Sequence, residues 1–191
     1  NNTPNTPMKT IVKIISPKID LKRFFDGTDP SLVIKDLAEI GNIDNREAVY
    51  VYPEGILPSI NLNEIQDYSS VFKNYFQSNH KIIVGITRYK EKEIFNSMAL
   101  LDNDLKLISV YDKNKLVPFG EYLPFENFLK NYGFKKITQG YQSFSPASER
   151  DLIKMNDTKF LPLICYEIIY SGSLLNESEN YDFIVNISED G

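Results

Sequence analysis

The sequence predicts a mixed α/β domain, on three observations. Short runs rich in β-branched residues recur along its 191 residues. Some runs are separated by amphipathic helical stretches, which permit parallel crossovers, and others by tight charged turns, which permit only hairpins. Apolar residues make up 42% and charged residues 25%, an ordinary balance for one globular domain with a sizeable core. Together these favour an α/β sandwich with mixed sheets over a purely doubly wound sheet.

The elements follow in order. NNTPNTP, rich in proline and asparagine, makes residues 1–9 a linker, so the folded domain spans 10–191. TIVKII (10–15) predicts a buried strand, and PSLVIKDLAEI (30–40) a helix ending at Gly41. EAVYVYPE (47–54) is a strand that Pro53 must stop or push to an edge. NEIQDYSSVFKNYFQS (63–78) sets Ile65, Tyr68, Phe72, Tyr75 and Phe76 on one helical face, with Asn63 and Gln66 as its capping pair. His80, in the polar QSNHK, reads as a solvated loop residue.

KIIVGITRY and FNSMALLD are strands joined by the charged turn KEKE, and LKLISVYDK is a third after the turn DND. PFGEYLPFE (118–126), with two prolines and a glycine, is an ordered loop. FENFLKNYGF predicts a short helix and 138–151 a polar loop. KFLPLICY is a strand, EIIYSGSLL begins helically, and YDFIVNIS is a last strand apolar enough to be buried on both faces.

Composition excludes several functions. A net charge of −5 gives no electrostatic basis for binding nucleic acid. One cysteine rules out an intrachain disulfide and a multi-cysteine zinc site, and one histidine makes Ser-His-Asp or Cys-His chemistry a poor fit. No apolar run approaches the roughly 18 residues of a membrane span.

Three chemically capable residues share one kind of position: Glu54, Lys113 and Cys165 each follow a strand. Taken singly, Glu54 reads as a turn residue, Lys113 as a surface charge and Cys165 as a small hydrophobe. In layered α/β folds, however, strand ends open onto a common crevice, where distant residues converge. A thiol must ionise to attack, and a strand-to-helix junction and a nearby lysine would lower its pKa. A glutamate in reach would take the proton, and a fixed cation would stabilise an oxyanion. Such a set needs neither histidine, metal nor cofactor for acyl transfer.

Glu, Lys and Cys in this order, each after a strand, resemble the nitrilase (carbon–nitrogen hydrolase) superfamily. VYPEGILP, FNSMALLD, YDKNKLVPFGEYLPFE and LPLICYEIIYSG resemble its branch of bacterial apolipoprotein N-acyltransferases, KLVPFGEYLP most specifically. The resemblance runs from about Thr10 to the end of the chain. It implies a nitrilase-like α-β-β-α sandwich, with Glu54 as general base, Lys113 rather than Lys115 as the lysine, and Cys165 as nucleophile. Glu121, Tyr166 and Glu167 match supporting positions, and Phe24 or Phe25 an aromatic near the acyl chain.

The implied reaction moves a fatty acyl group from a phospholipid to the N-terminal amine of a diacylglyceryl-cysteine apolipoprotein. The implied place is the bacterial inner membrane, with the domain facing the periplasm. The family usually carries membrane helices before this domain, which this chain lacks, and reads Asn-Asp where NISEDG has Glu189 and Asp190. The expectation is therefore a domain incomplete at its C-terminus. A soluble amidase of the superfamily and a catalytically dead fragment are the alternatives.

Overall fold

The computed structural model describes residues 10–17, 27, 29–57, 60–122, 143–173 and 180–189. The predicted linker, the short helix over FENFLKNYGF, and Phe24 and Phe25 lie outside the described residues.

The first sheet has the order β1 (Ile11–Ile14), β2 (Ala48–Val51), β3 (His80–Lys90), β4 (Glu93–Asp102) and β5 (Leu107–Asp112). β1, β2 and β3 run parallel, whereas β3–β4 and β4–β5 are antiparallel. The second sheet joins β6 (Ile153–Met155) and β7 (Thr158–Ile164) antiparallel, and β7 and β8 (Phe183–Ile187) parallel. Both sheets are mixed because their connections are: helical segments link the parallel strands of the first sheet, and tight turns link its antiparallel ones.

Helix α1 (Pro30–Ile40) connects β1 to β2. The Asp29 carboxylate accepts the Ser31 N–H at 2.9 Å, Pro30 presets the first turn, and the Gly41 N–H closes on the Leu37 carbonyl at 2.9 Å. Its apolar stripe of Val33, Ile34, Leu37 and Ala38 packs on one face of the first sheet, against Tyr50, Ile82, Val84 and Leu101. The other face of that sheet presents Val49, Val51, Ile83, Met98 and Leu100 to Ile153, Met155, Phe160, Ile164 and Ile187 of the second sheet. The alternation of side chains along each strand thus feeds two apolar layers at once, one under the helices and one between the sheets.

Four expectations change. Among the described residues β1 is an outer strand rather than a buried one, and its alternation leaves Ile14 82% exposed. The 63–78 helix is instead a 3-10 turn (Ile65–Tyr68) running into the short α2 (Ser69–Lys73). Asn63 does not cap it, because its side-chain oxygen accepts the Tyr89 N–H at 3.2 Å. His80 is buried at the start of β3: Nδ1 accepts the Gln77 N–H at 3.0 Å, and Nε2 faces the Arg46 carbonyl at 3.0 Å. Finally, β8 pairs only with β7 among the described residues, and it leaves Ile184 exposed.

Candidate active site

Glu54 follows the end of β2, where the chain passes close over β3. The Gly85 N–H reaches the Pro53 carbonyl at 3.3 Å, and a Cβ at Gly85 would lie 2.5 Å from the Glu54 Cα. Only glycine permits that approach. The Glu54 side chain is 15% exposed, and its Oε1 accepts the Asn96 amide at 2.6 Å.

Lys113 follows β5, and its backbone N–H bonds the Asn96 carbonyl at 2.8 Å. Strand alternation sends its neighbour Asp112 to the opposite face, onto Arg88 at 2.7 Å and Ser97 at 2.6 Å. The Lys113 side chain is 1% exposed; Nζ donates to Glu121 Oε1 at 2.8 Å and stands 4.0 Å from Glu54 Oε1. The Asn96 amide also donates to Glu121 Oε1, at 2.9 Å. The other Glu121 oxygen accepts the Val117 N–H at 2.8 Å, which anchors it in the predicted loop. Two carboxylates, one ammonium and one amide therefore form a connected, largely buried cluster.

Cys165 stands where β7 gives way to a 3-10 helix (Cys165–Ser173), with a left-handed φ of 55°. Such a φ costs a non-glycine residue energy, so packing on both sides must hold the turn. The thiol feels the charges of Glu54, Lys113 and Glu121, which places it in the field of the same cluster.

Its pKa moves against the expectation. Burial pushes the thiol above its ordinary 9.0, and the Glu54 carboxylate adds to this; the Lys113 ammonium and the Tyr166 N–H oppose it without prevailing. The lysine is already engaged by two carboxylates, so its pull on the sulfur is diluted. Glu54 is also pushed above its ordinary 4.5, first by burial and then by Glu121 and Glu189, against Lys113 and Asn96. The site thus pairs a thiol that resists ionisation with a carboxylate made more basic than usual.

The remaining expected residues divide. Tyr166 points outward, 61% exposed, and serves the thiol through its backbone N–H. Glu167 is fully buried. It accepts the Tyr111 hydroxyl at 2.8 Å and forms an ion pair with Arg150 at 2.8 Å. Lys115 is exposed, and only its backbone N–H reaches Glu167, at 2.9 Å. Asn96 and Arg150 are absent from the expectation. Asn96 had a signal, since it is a polar residue within the apolar run FNSMALL, whereas Arg150 sits in an unpatterned loop. Among the described residues, no cluster of three His, Cys, Asp or Glu side chains is placed to hold a metal.

Residues 64–191 match the carbon-nitrogen hydrolase family, and the chain belongs to it. The fold agrees. A carbon-nitrogen hydrolase from Helicobacter pylori G27 superposes over 94% of this chain and 59% of its own, with a TM-score of 0.56 and 12% identity. An amidase of the nitrilase superfamily from Nesterenkonia AN1 does so over 94% and 65%, with a TM-score of 0.57 and 10% identity.

Within the family, the sequence is similar to apolipoprotein N-acyltransferases. That of Rhizobium rhizogenes is 31% identical over 193 residues, covering 94% of this chain and 36% of the relative. That of Agrobacterium fabrum is 29% identical over 192 residues, with the same coverages of 94% and 36%. The chain therefore spans little more than a third of the length of these relatives. No helix among the described residues is long and apolar enough to cross a membrane.

Proposed function

We propose that the domain transfers a fatty acyl group from a phospholipid to the N-terminal amine of a diacylglyceryl-cysteine lipoprotein, through a thioester on Cys165. The observation that carries this reading is the buried Lys113 ammonium, held between Glu54 and Glu121, whose charges reach the thiol of the chain's single cysteine. The similarity to acyltransferases along 94% of the chain supports it.

Glu54 takes the thiol proton as the sulfur attacks the ester carbonyl, and Lys113 faces the oxyanion that forms. The ester C–O bond breaks, the departing oxygen takes the proton from Glu54, and lysophospholipid leaves. The lipoprotein amine then attacks the thioester and gives its proton to Glu54; the C–S bond breaks and the thiolate is reprotonated. Asn96 and Glu121 hold the two charged groups at working distance. Both substrates are membrane lipids or lipid-anchored, which agrees with action at the periplasmic face of the inner membrane.

The test is to incubate the protein with phospholipid in detergent and weigh the Cys165 peptide. An added acyl mass that hydroxylamine removes is expected. Such a mass on another residue, with none on Cys165, would refute the assignment.

A further inference from the structure

The Glu167 carboxylate receives an unusual set of donors. Oε1 meets the Tyr111 hydroxyl at 2.8 Å, the Asn114 N–H at 3.1 Å, the Lys115 N–H at 2.9 Å and Arg150 Nη2 at 2.8 Å. Oε2 accepts the Ile164 N–H at 3.0 Å. These donors bracket the candidate catalytic groups: Tyr111, Asn114 and Lys115 surround Lys113 in sequence, and Ile164 immediately precedes Cys165. One carboxylate thus ties the lysine segment to the cysteine turn.

A wholly buried carboxylate needs a partner charge. Arg150 supplies it from a side chain 5% exposed. Its other nitrogen donates to the Pro162 carbonyl in β7 at 3.2 Å, and its guanidinium lies over the Tyr111 ring, 5.3 Å from the centroid. Arg150 therefore touches two of the three strands that lead into the site, β5 and β7. Its loop is fixed in turn, because the Ala147 N–H bonds the Lys113 carbonyl at 3.0 Å and the Asn114 amide bonds the Ala147 carbonyl at 2.6 Å.

We propose that Arg150 is a positioning residue, which sets the distance between Lys113 and Cys165 through the Glu167 carboxylate. This rests on the Glu54–Lys113–Cys165 reading above. A planar guanidinium can meet Glu167 and Pro162 and lie over Tyr111 together; an ammonium cannot.

The test compares wild type with Arg150→Lys, which keeps the charge and so the buried pairing. Two quantities are measured: the pH dependence of Cys165 alkylation by iodoacetamide, and single-turnover acylation by phospholipid in detergent. Lys113 lowers the thiol pKa, so a lysine that drifts away should move the alkylation midpoint to higher pH. Acylation at saturating lipid should slow by about 10- to 100-fold, the scale of a misplaced group, with the half-saturating concentration unchanged.

In a Lys113→Met background, Arg150→Lys should shift the midpoint no further, which a merely structural role would not predict. A folded Arg150→Lys with wild-type profile and rate would overturn the proposal, as would an equal shift with and without Lys113. If Arg150→Lys does not fold, the uncharged double variant Arg150→Met/Glu167→Gln is judged by the same profile and rate. A wild-type chain that never becomes acylated would refute the acyl-transfer reading, and the alkylation profiles would still decide the role of Arg150.

Discussion

Glu54 carries opposed demands, because burial that makes it a better base also makes its charged form costly. Its folded pKa lies above the ordinary value, so the folded state holds the proton more tightly. Stability is therefore lost as pH rises from the ordinary carboxylate value through the folded one, and the cost is complete above it. Glu54→Gln should then abolish acylation of Cys165 yet raise the melting temperature at neutral pH. That gain should vanish below the ordinary carboxylate pKa; a gain of equal size at all pH values, read by thermal melts, would contradict it. Lys113→Arg should slow acylation by about two to three orders of magnitude, the cost of losing one oxyanion donor, because the larger planar group cannot occupy the ammonium's place. Lys115→Arg should be nearly silent, since only its backbone is engaged. Sequence singles out Glu54, Lys113 and Cys165 because a polar residue directly after an apolar strand is visible in one dimension. The direction of the thiol's pKa is not, since it depends on burial and on how many carboxylates share one lysine.

At the level of elements, the strands are the most legible part. β3, β4 and β5 are bounded by turns of charged or small residues, so their ends can be read within a residue or two. The 63–78 segment misleads because its apolar spacing is helical, while Asn63 is recruited by the neighbouring strand. β1 and β8 mislead for another reason: apolar composition reports suitability for burial, but not how many neighbours a strand has in its sheet. Gly85 shows how an element can set the site. Gly85→Ala would drive a methyl against the Glu54 Cα and the Pro53 carbonyl, both backbone atoms unable to yield cheaply. The expected cost is about 1–3 kcal/mol of stability in denaturant titration, with acylation falling further than stability explains. An unchanged acylation rate would show that Glu54 tolerates the displacement.

For the whole molecule, the two apolar layers are the record of an α-β-β arrangement. The helices cover one face of the first sheet, and the second sheet covers the other. Period-2 patterning reveals that the strands are two-sided, but not which strands share a sheet. The break between β5 and β6 is therefore a property of the fold rather than of any local run of residues.

The placement of Glu54, Lys113 and Cys165 on the ends of β2, β5 and β7 has a kinetic consequence. The first two belong to one sheet and the third to the other, and all are remote in sequence, so loop closure must come first. Until the sheets dock, Cys165 is an ordinary thiol with an ordinary pKa. At mildly alkaline pH it should then react with iodoacetamide faster in the unfolded chain than in the native one, where it is held above 9.0. Pulsed alkylation during refolding should show protection arriving with the final native phase; protection before that phase would mean that the site forms within a single sheet. A chain caught midway through folding would thus carry a common cysteine, outside the field of the Glu54 carboxylate and the Lys113 ammonium.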